Sequence, residues 1–245
     1  MSVAAIIAAS GSGLRLGGDK PKQYQSLGDK PVLAHTLGVF DQLDIINEIY
    51  IAAPAAYVTH TWEIAKSNGF SKVKAVVSGG ANRAQSIYKA LKEIPEHTGI
   101  VLIHDGVRPF VSGELIKAVA KAARIHGAAV AGTPLTDTIK EVDEKGQVLS
   151  TPDRKRLWRI QTPQGFTYEL IAKAYAQGKK DKILDQATDD SMLVERLGTP
   201  VHIVEGHPSN IKLTTQEDLL LGELMLPSQR KALPEVSKPK ARREI

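Results

Sequence analysis

The stretch that decides the fold is residues 3–18, VAAIIAASGSGLRLGG, where a short apolar run passes directly into a glycine-rich turn. The run at 3–9 predicts a buried strand. The small residues and paired glycines at 8–18 would let backbone N–H groups approach a ligand closely and point at its phosphates. Dinucleotide-binding turns need glycine where Leu16 stands, and Walker turns need Gly-Lys-Ser/Thr, so neither pattern applies. A tight strand–helix connection without a ligand explains the turn equally well.

Further apolar runs predict more buried strands, and helical stretches separate most of them. These runs are 48–53, 73–77, 100–104, 128–132 and 201–204. Alternating strands and helices predict an α/β fold with a Rossmann-like, mainly parallel sheet and helices on both faces. In such folds ligands bind outside the carboxyl ends of the strands, which is where the glycine-rich turn falls.

Three helices carry clear start signals in the sequence. One is capped by Ser112 and stopped by Gly127. A second, over 188–197, is predicted to begin at Thr188, because the two aspartates that follow suit the positive first turn of a helix. The last is predicted to begin at Thr215, with an aspartate three residues later as in a capping box.

One segment breaks the alternation of strands and helices. Residues 138–150 alternate around a Lys145-Gly146 turn and predict a protruding β-hairpin arm. A lone two-stranded hairpin is marginally stable in water, so we expect the arm to pack on a second subunit of a homodimer. That packing would bring Lys140 near the site of the partner.

Composition limits the class of protein. The 245 residues include no cysteine, which excludes disulfides and thiolate metal sites. The N-terminus has no basic segment or cleavage site, and no apolar run approaches the roughly 20 residues of a membrane helix. We therefore expect a cytoplasmic, non-membrane protein.

The net charge of +5 raises the possibility of a nucleic-acid partner, so its location matters. Residues 227–245 hold six Lys or Arg against two Glu, and this proline-containing segment is expected to be a disordered tail. Residues 1–226, the expected folded domain, are nearly neutral. That balance and an aromatic content of only 5% argue against base stacking and a nucleic-acid partner.

Cations and a carboxylate follow two of the predicted strands. Arg15, Lys20 and Lys22 accompany the glycine-rich turn. They suit a triphosphate because they would neutralise charge developing at phosphorus and on departing pyrophosphate. Asp105 and Arg108 follow another strand. Asp105 could hold Mg²⁺ through its oxygens, or it could pair with Arg108 and shape the loop.

A series of motifs follows the chain in order. It consists of the glycine-rich loop with Arg15, PKQY at 21–24, GGANRAQS at 79–86, HDGVRPF at 104–110, PLTDTIK at 134–140, Arg154, QTPQGF at 161–166, TDD at 188–190 and NIKLTT at 210–215. In this order the motifs resemble those of the methylerythritol phosphate cytidylyltransferase family over residues 3 to about 226. The resemblance implies a fold of the nucleotide-diphospho-sugar transferase type. It also implies transfer of CMP from CTP to a polyol phosphate, assisted by Mg²⁺.

The same resemblance assigns roles to single residues. Arg15 and Lys22 would stabilise the transition state at the α-phosphate of CTP, and Arg154 and Lys212 would orient the acceptor phosphate. The nucleotide would be held by Ala8, Ala9, Gly11, Ser12, Gly13, Gly80, Ala81, Ser86 and Asp105, of which Gly80, Ala81 and Ser86 would recognise cytosine. The acceptor would be bound by Thr138, Arg154, Thr162, Thr188 and Lys212. The family often has an acidic residue where this chain has Ala81, so a side-chain contact is lost there.

Two alternatives remain open at this point. Ribitol-5-phosphate cytidylyltransferases share much of this fold and chemistry, although Lys140 and the segment 154–164 favour methylerythritol phosphate as the acceptor. A non-catalytic nucleotide-binding or RNA-binding protein is a different class, against which the nearly neutral body and few aromatics argue.

Overall fold

The computed structural model describes residues 1–11 and 20–226. The strands in these ranges are β1 Val3–Ala8, β2 Ser26–Leu27, β3 Lys30–Pro31, β4 Glu48–Ala53, β5 Val73–Ser78, β6 Ile100–Asp105, β7 Ala128–Pro134, β8 Glu141–Val142, β9 Val148–Ser150, β10 Trp158–Thr167 and β11 His202–Glu205. The helices are α1 Val32–Asp41, α2 Val58–Ser67, α3 Arg83–Leu91, α4 Gly113–His126, α5 Tyr168–Lys180, α6 Ser191–Glu195 and α7 Gln216–Met225. The predictions for Ser12, Gly13, Arg15 and the tail at 227–245 lie outside the described residues.

The large sheet has the strand order β11-β7-β10-β6-β1-β4-β5. Its neighbours are parallel except for β10, which runs antiparallel to both β6 and β7. All of the predicted strands lie in this sheet, which confirms the mainly parallel α/β fold. The register pairs Ala8 of β1 with Asp105 of β6, so the glycine-rich turn and the carboxylate leave the sheet at the same level.

Strand β10 is a central element for which the sequence analysis predicted no strand. It contains the motif QTPQGF, and its pairing with β7 shifts register between Ile160 and Gln164, on either side of Pro163. Proline is rare in a central strand because it cannot donate to the ladder, and an irregularity is one of the few places that accept it. The polar, proline-containing run therefore gave no strand signal.

The core forms two layers, one on each face of the sheet. Along β1, Val3, Ala5 and Ile7 pack with α1, α2 and α4, whereas Ala4 and Ile6 pack with α3, α5 and α6. Successive residues of a strand point to opposite faces, so a strand that is covered on both sides is apolar throughout. Burying one such isoleucine stabilises the fold by roughly 1.5 to 3 kcal/mol. None of the helices in the described residues has both the length and the apolar character needed to span a membrane.

The helix signals are confirmed at two of the three places. The backbone N–H of Leu115 donates to the Ser112 side chain at 3.1 Å, and Gly127 ends α4 with a φ of 85°. Helix α7 begins after Thr215 with a complete capping box. The predicted start at Thr188 is wrong, since α6 begins only at Ser191. Asp189 accepts from the backbone N–H of Met192 at 3.0 Å and so caps the later start, whereas the Asp190 carboxylate binds Arg83 and Tyr175 elsewhere in the fold.

A short antiparallel ladder lies inside the segment predicted to form the arm. Glu141 pairs with Ser150 and Val142 with Val148. Val142, Val148 and Leu149 are 50%, 58% and 63% exposed, so the ladder carries apolar side chains that nothing in the described chain covers. Packing of this arm on a second subunit stays a prediction.

Candidate active site

A cavity of about 400 Å³ opens where β1, β5 and β6 end. We call it the glycine-loop cavity. Its lining includes most of the predicted nucleotide-binding residues and two of the predicted phosphate-binding lysines, but not Lys20. These lining residues are Ala8, Ala9, Gly11, Gly80, Ala81, Asp105, Lys22 and Lys212. The tertiary structure thus gathers at one edge of the sheet residues that are widely separated along the chain.

The two loops of this cavity are held in place by buried polar side chains. The Gln23 amide donates to the carbonyls of Ala9 at 2.5 Å and Gly11 at 3.1 Å. The Ser86 hydroxyl accepts from the Ser10 hydroxyl at 2.7 Å and from the Gly80 backbone at 2.9 Å. Ser86 is fully buried behind the loop, so in this structure it supports the loop backbone, whereas the cytosine contact expected of it stays a prediction.

Glycine is required where these two loops meet. A Cβ at Gly79 would lie 2.5 Å from the Cβ of Ser10, closer than two carbon atoms can approach. The missing side chain therefore lets residues 79–82 pack directly against residues 8–11. This contact aligns the backbone of the two loops along one wall of the glycine-loop cavity.

A second cavity of about 300 Å³ adjoins the first. We call it the Thr162 cavity. Thr162 and Thr188, two of the predicted acceptor-binding residues, line it. Arg83, Asp105 and Lys212 line both cavities, so the two spaces meet at this group of charged side chains.

Asp105 is the centre of that group. Its Oδ1 lies 3.1 Å from Arg83 Nε, and its Oδ2 lies 2.8 Å from Lys212 Nζ and 3.5 Å from Arg108 Nε. Burial alone would raise the pKa of this carboxyl, but Arg83, Lys212 and Arg108 outweigh it and hold the pKa well below its usual range. Three cations thus surround one carboxylate at the place where the two cavities meet.

A buried chain of hydrogen bonds supports Arg83 from behind. Arg83 Nη2 lies 2.8 Å from Asp190 Oδ2, and the Tyr175 hydroxyl donates to Asp190 Oδ1 at 2.5 Å. Burial and then the Asp190 charge raise the pKa of Tyr175 well above its usual value, so the hydroxyl keeps its proton. Asp190 therefore holds Arg83 in the orientation in which it meets Asp105.

Thr162 is connected to His104 and to the backbone of Asp105. The Asp105 N–H donates to Thr162 Oγ1 at 3.1 Å, and Thr162 Oγ1 lies 3.0 Å from His104 Nδ1. The other ring nitrogen, Nε2, lies 3.1 Å from the carbonyl oxygen of Arg108, which can only accept. The proton is thus assigned to Nε2, and the Thr162 hydroxyl donates to Nδ1.

We expect the buried His104 to make stability depend on pH. Burial, the largest influence, lowers the pKa of His104 from 6.5 to about 4. The unfolded chain then binds a proton more readily than the folded one, so stability is full above about pH 6.5 and falls towards about pH 4. The loss is at most about 3 kcal/mol of unfolding free energy, by the conversion of pKa shift to energy.

Urea unfolding of the wild type and of His104→Asn at several pH values between about 7 and 4 measures this effect. Acidic residues titrate in both proteins, so the difference between the two unfolding free energies isolates His104. That difference should shrink as the pH falls. A constant difference across the range would contradict the assignment of a neutral, buried His104.

Some predicted site residues do not reach these cavities. Thr138 is exposed, and Arg154 is exposed with Nη1 donating to the carbonyl of Thr136 at 2.8 Å. Neither lines the glycine-loop cavity or the Thr162 cavity. Both belong to the arm or the segment that follows it, and their role in binding the acceptor stays a prediction.

The sequence analysis gave no functional role to several residues of the site. Arg83, Gln23 and Asp190 lie inside quoted motifs but were assigned nothing, and Arg108 was considered only as a partner of Asp105. A signal was present for Arg83, because a cation at the start of a helix beside a strand-end carboxylate indicates an ion pair. No local pattern connects Asp190 to Arg83, which lies 107 residues away.

The described residues can hold a divalent cation only together with a bound ligand that supplies further coordinating atoms. No group of three or more His, Cys, Asp or Glu able to hold a metal occurs in the described ranges. Asp105 is a single carboxylate whose oxygens already face cations. Mg²⁺ commonly takes one or two carboxylates and completes its shell with phosphate and water, an arrangement that one oxygen of Asp105 can join.

Comparison with solved structures gives the class of protein. The chain aligns with the crystal structure of 4-diphosphocytidyl-2C-methyl-D-erythritol synthase from Anaerococcus prevotii at a TM-score of 0.80 and 34% identity, over 91% of this chain and 94% of that one. The alignment with 2-C-methyl-D-erythritol 4-phosphate cytidylyltransferase from Francisella tularensis has a TM-score of 0.79 and 28% identity, covering 92% and 100%. The sheet and its charged edge define a nucleotidyltransferase of the nucleotide-diphospho-sugar transferase fold.

Sequence comparison then gives the family. The model of the 2-C-methyl-D-erythritol 4-phosphate cytidylyltransferase family (IspD) matches residues 3–228. Relatives of that name from Desulforamulus reducens and Alkaliphilus oremlandii are 42% and 44% identical over 92% of this chain, and the matches cover 96% and 95% of those proteins. The chain belongs to the 2-C-methyl-D-erythritol 4-phosphate cytidylyltransferase family, as the motifs predicted.

Proposed function

We propose that this protein transfers CMP from CTP to the phosphate of 2-C-methyl-D-erythritol 4-phosphate. The products are 4-diphosphocytidyl-2-C-methyl-D-erythritol and pyrophosphate, in the biosynthesis of isoprenoid precursors. The observation that carries the proposal is the pair of adjoining cavities joined at Arg83, Asp105 and Lys212. CTP takes the glycine-loop cavity, and the acceptor takes the Thr162 cavity.

The reaction joins two anions, so charge neutralisation is the main task of the site. The acceptor is a phosphate monoester with a second pKa near 6, so it is mostly dianionic at neutral pH and needs no general base. One of its oxygens attacks the α-phosphorus of CTP, and the bond to pyrophosphate breaks. Lys22 and Arg15 stabilise the charge that develops on the nucleotide side, while Lys212 holds the acceptor phosphate in line.

Mg²⁺ is part of this proposal. When bound to the triphosphate, the ion supplies charge neutralisation on the departing pyrophosphate. Asp105 would contribute one oxygen to it. The remaining work of the chain is positioning, in which Arg83 and Arg108 fix the Asp105 carboxylate and Gln23 fixes the loop that follows β1.

We propose further that the enzyme acts in the cytoplasm as a homodimer. The exposed apolar residues of the arm favour a protein partner, and Thr138 and Arg154 line neither the glycine-loop cavity nor the Thr162 cavity of their own chain. Packing of two arms would carry these residues, with Lys140, to the acceptor site of the other subunit. The two subunits would then each complete the site of the other.

Light scattering at micromolar concentration should give twice the mass of one chain. Val142→Lys combined with Leu149→Lys places like charges in the proposed interface, so we expect it to shift the mass towards one chain and to lower turnover. Lys66→Glu, on the exposed surface of α2, is the control for surface charge. A wild-type protein with the mass of one chain would contradict the dimer.

The reaction itself is tested by incubating the protein with CTP, Mg²⁺ and one acceptor at a time and by measuring pyrophosphate. We expect kcat/KM with methylerythritol phosphate to exceed that with ribitol 5-phosphate by about 10² to 10⁴-fold. Two buried polar groups left unpaired by the longer, unbranched acceptor would each cost roughly 1 to 3 kcal/mol. Equal or higher efficiency with ribitol 5-phosphate would transfer the chain to that activity. Nucleotide binding without pyrophosphate release from either acceptor would favour the non-catalytic alternative.

A further inference from the structure

A separate cavity of about 550 Å³ lies between α3 and the end of α5. We call it the lysine cavity, because Lys89 and Lys92 line it from the side of α3 and Lys179 and Lys182 from the side of α5. Tyr88 lies among the four lysines. The size falls within the range that small-molecule sites occupy, about 300 to 1,000 Å³.

The charges in this cavity are unbalanced. Lys92 Nζ lies 4.8 Å and Lys179 Nζ 5.6 Å from the centroid of the same Tyr88 ring. The ion pairs of the described chain include none of the four lysines. Like charges that converge in a concave space create a positive potential, which a bound anion would neutralise.

The acidic residue and the aromatic ring of this cavity are both already fixed. Asp185 Oδ1 accepts from the amides of Asn82 at 2.5 Å and Gln85 at 2.8 Å. Tyr88 stacks on the buried Tyr175, with ring centroids 5.9 Å apart and planes within 7°. The ring is thus a rigid base between flexible ammonium groups, and the remaining positive charge is open to a ligand from solvent.

The lysine cavity is also connected to the loop that forms one wall of the glycine-loop cavity. Lys89 Nζ donates to the carbonyl of Gly79 at 2.8 Å, and the Ala81 N–H donates to Gln85 Oε1 at 3.2 Å. An anion that draws Lys89 away would remove its bond to Gly79, which is one contact of this loop beside those of Gln85 and Ser86. Through the proposed function, in which Gly80 and Ala81 bind the nucleotide, loss of this contact would weaken CTP binding.

We propose that the lysine cavity binds the di- or triphosphate group of a small polyanion and that this binding lowers the affinity for CTP. Lysines suit this ligand because each is a compact point charge on a flexible stem, which adapts to several phosphate oxygens. At about 550 Å³ the cavity matches a small-molecule site in size. Free polyphosphate and a nucleoside triphosphate carry the same chemical group.

Calorimetric titration with inorganic tripolyphosphate tests the site without turnover. In the wild type we expect tripolyphosphate to bind both the glycine-loop cavity and the lysine cavity. When a non-hydrolysable CTP analogue saturates the glycine-loop cavity, only the site in the lysine cavity should remain. The double variant Lys92→Gln/Lys179→Gln should lose the remaining site, with affinity at least about tenfold weaker because two of its four charges are gone. Lys66→Gln/Lys117→Gln removes two exposed charges elsewhere and should bind as the wild type does.

The coupling is measured in the same proteins. Tripolyphosphate should raise the Kd of the analogue more in the wild type than in Lys92→Gln/Lys179→Gln, where only direct competition remains. Titration with ATP identifies which molecule carries the bound phosphate group. If ATP binds the lysine cavity as tightly as tripolyphosphate does, the ligand is a nucleoside triphosphate. If ATP binds much more weakly, the ligand is free polyphosphate.

Three results would overturn the proposal. They are a wild type with no binding beyond the CTP-competing site, a remaining site that the Lys92→Gln/Lys179→Gln variant keeps, and equally tight binding of poly-glutamate. If the analogue does not bind at all, the proposed function fails. Tripolyphosphate binding by the two double variants then still shows whether the lysine cavity binds polyphosphate.

Discussion

Lys212→Met should lower kcat/KM for CMP transfer by about 10²-fold or more while the protein stays folded. Lys212 Nζ pairs with Asp105 at 2.8 Å, and its side chain lines both the glycine-loop cavity and the Thr162 cavity. No other lysine of the described chain lines both of these cavities. Methionine keeps the apolar stem but removes the charge that orients the acceptor phosphate against CTP.

Steady-state kinetics with both substrates varied would measure this effect, and circular dichroism would check the fold. Stability should change little, because Arg83 and Arg108 still neutralise Asp105 and the Lys212 side chain is 37% exposed. Lys117→Met, on the exposed face of α4, is the matched control. Lys212→Arg should recover part of the activity, because it restores the charge with a different geometry. Near-normal turnover in Lys212→Met would remove Lys212 from the mechanism.

Asp190→Ala should lower the free energy of unfolding by about 3 to 5 kcal/mol. Asp190 is fully buried and accepts from both Arg83 and Tyr175. Its removal leaves the buried Tyr175 hydroxyl without an acceptor and takes from Arg83 one of its two carboxylate partners. An unsatisfied buried group costs more than the hydrogen bond itself contributes. Domains of this kind are stable by only about 5 to 15 kcal/mol, so the loss would be a large fraction.

Urea unfolding would measure the loss, with two comparisons. Asp181→Asn changes an exposed carboxylate that accepts from the neighbouring Gln177 side chain, so it should be close to neutral. Tyr175→Phe removes one donor and keeps the ring, so its effect should be smaller than that of Asp190→Ala. If Asp190→Ala and Asp181→Asn were equally stable, the buried network would not hold the fold together as we describe.

Local patterns were sufficient for most of the fold. The apolar runs predicted the parallel strands because a strand covered on both faces must be apolar along its whole length. Ser112 and Thr215 marked helix starts because their hydroxyls can cap only the nearby backbone. The pattern failed at β10 and at Thr188. In both places polar side chains serve distant partners, so the local preference does not decide the structure.

The candidate site was predictable from motifs, but not the contacts that its residues make with one another. The glycine-rich turn, Lys22 and Asp105 were found, and the structure brings those that it describes to one cavity. Arg83 and Asp190 were not, because their roles depend on a contact between α3 and the loop before α6. For Ser86 the structure adds a role in supporting the loop backbone, and the cytosine contact stays a prediction.

The sequence by itself determined the α/β class, the family and the edge of the sheet where the chemistry lies, because these follow from periodicity and from motifs read in order. The tertiary structure alone decided which charges meet. It set Arg83, Arg108 and Lys212 around Asp105, and it left Arg154 outside the cavities of its own chain. The physical reason is that electrostatic interactions depend on separation in space, which sequence spacing does not fix.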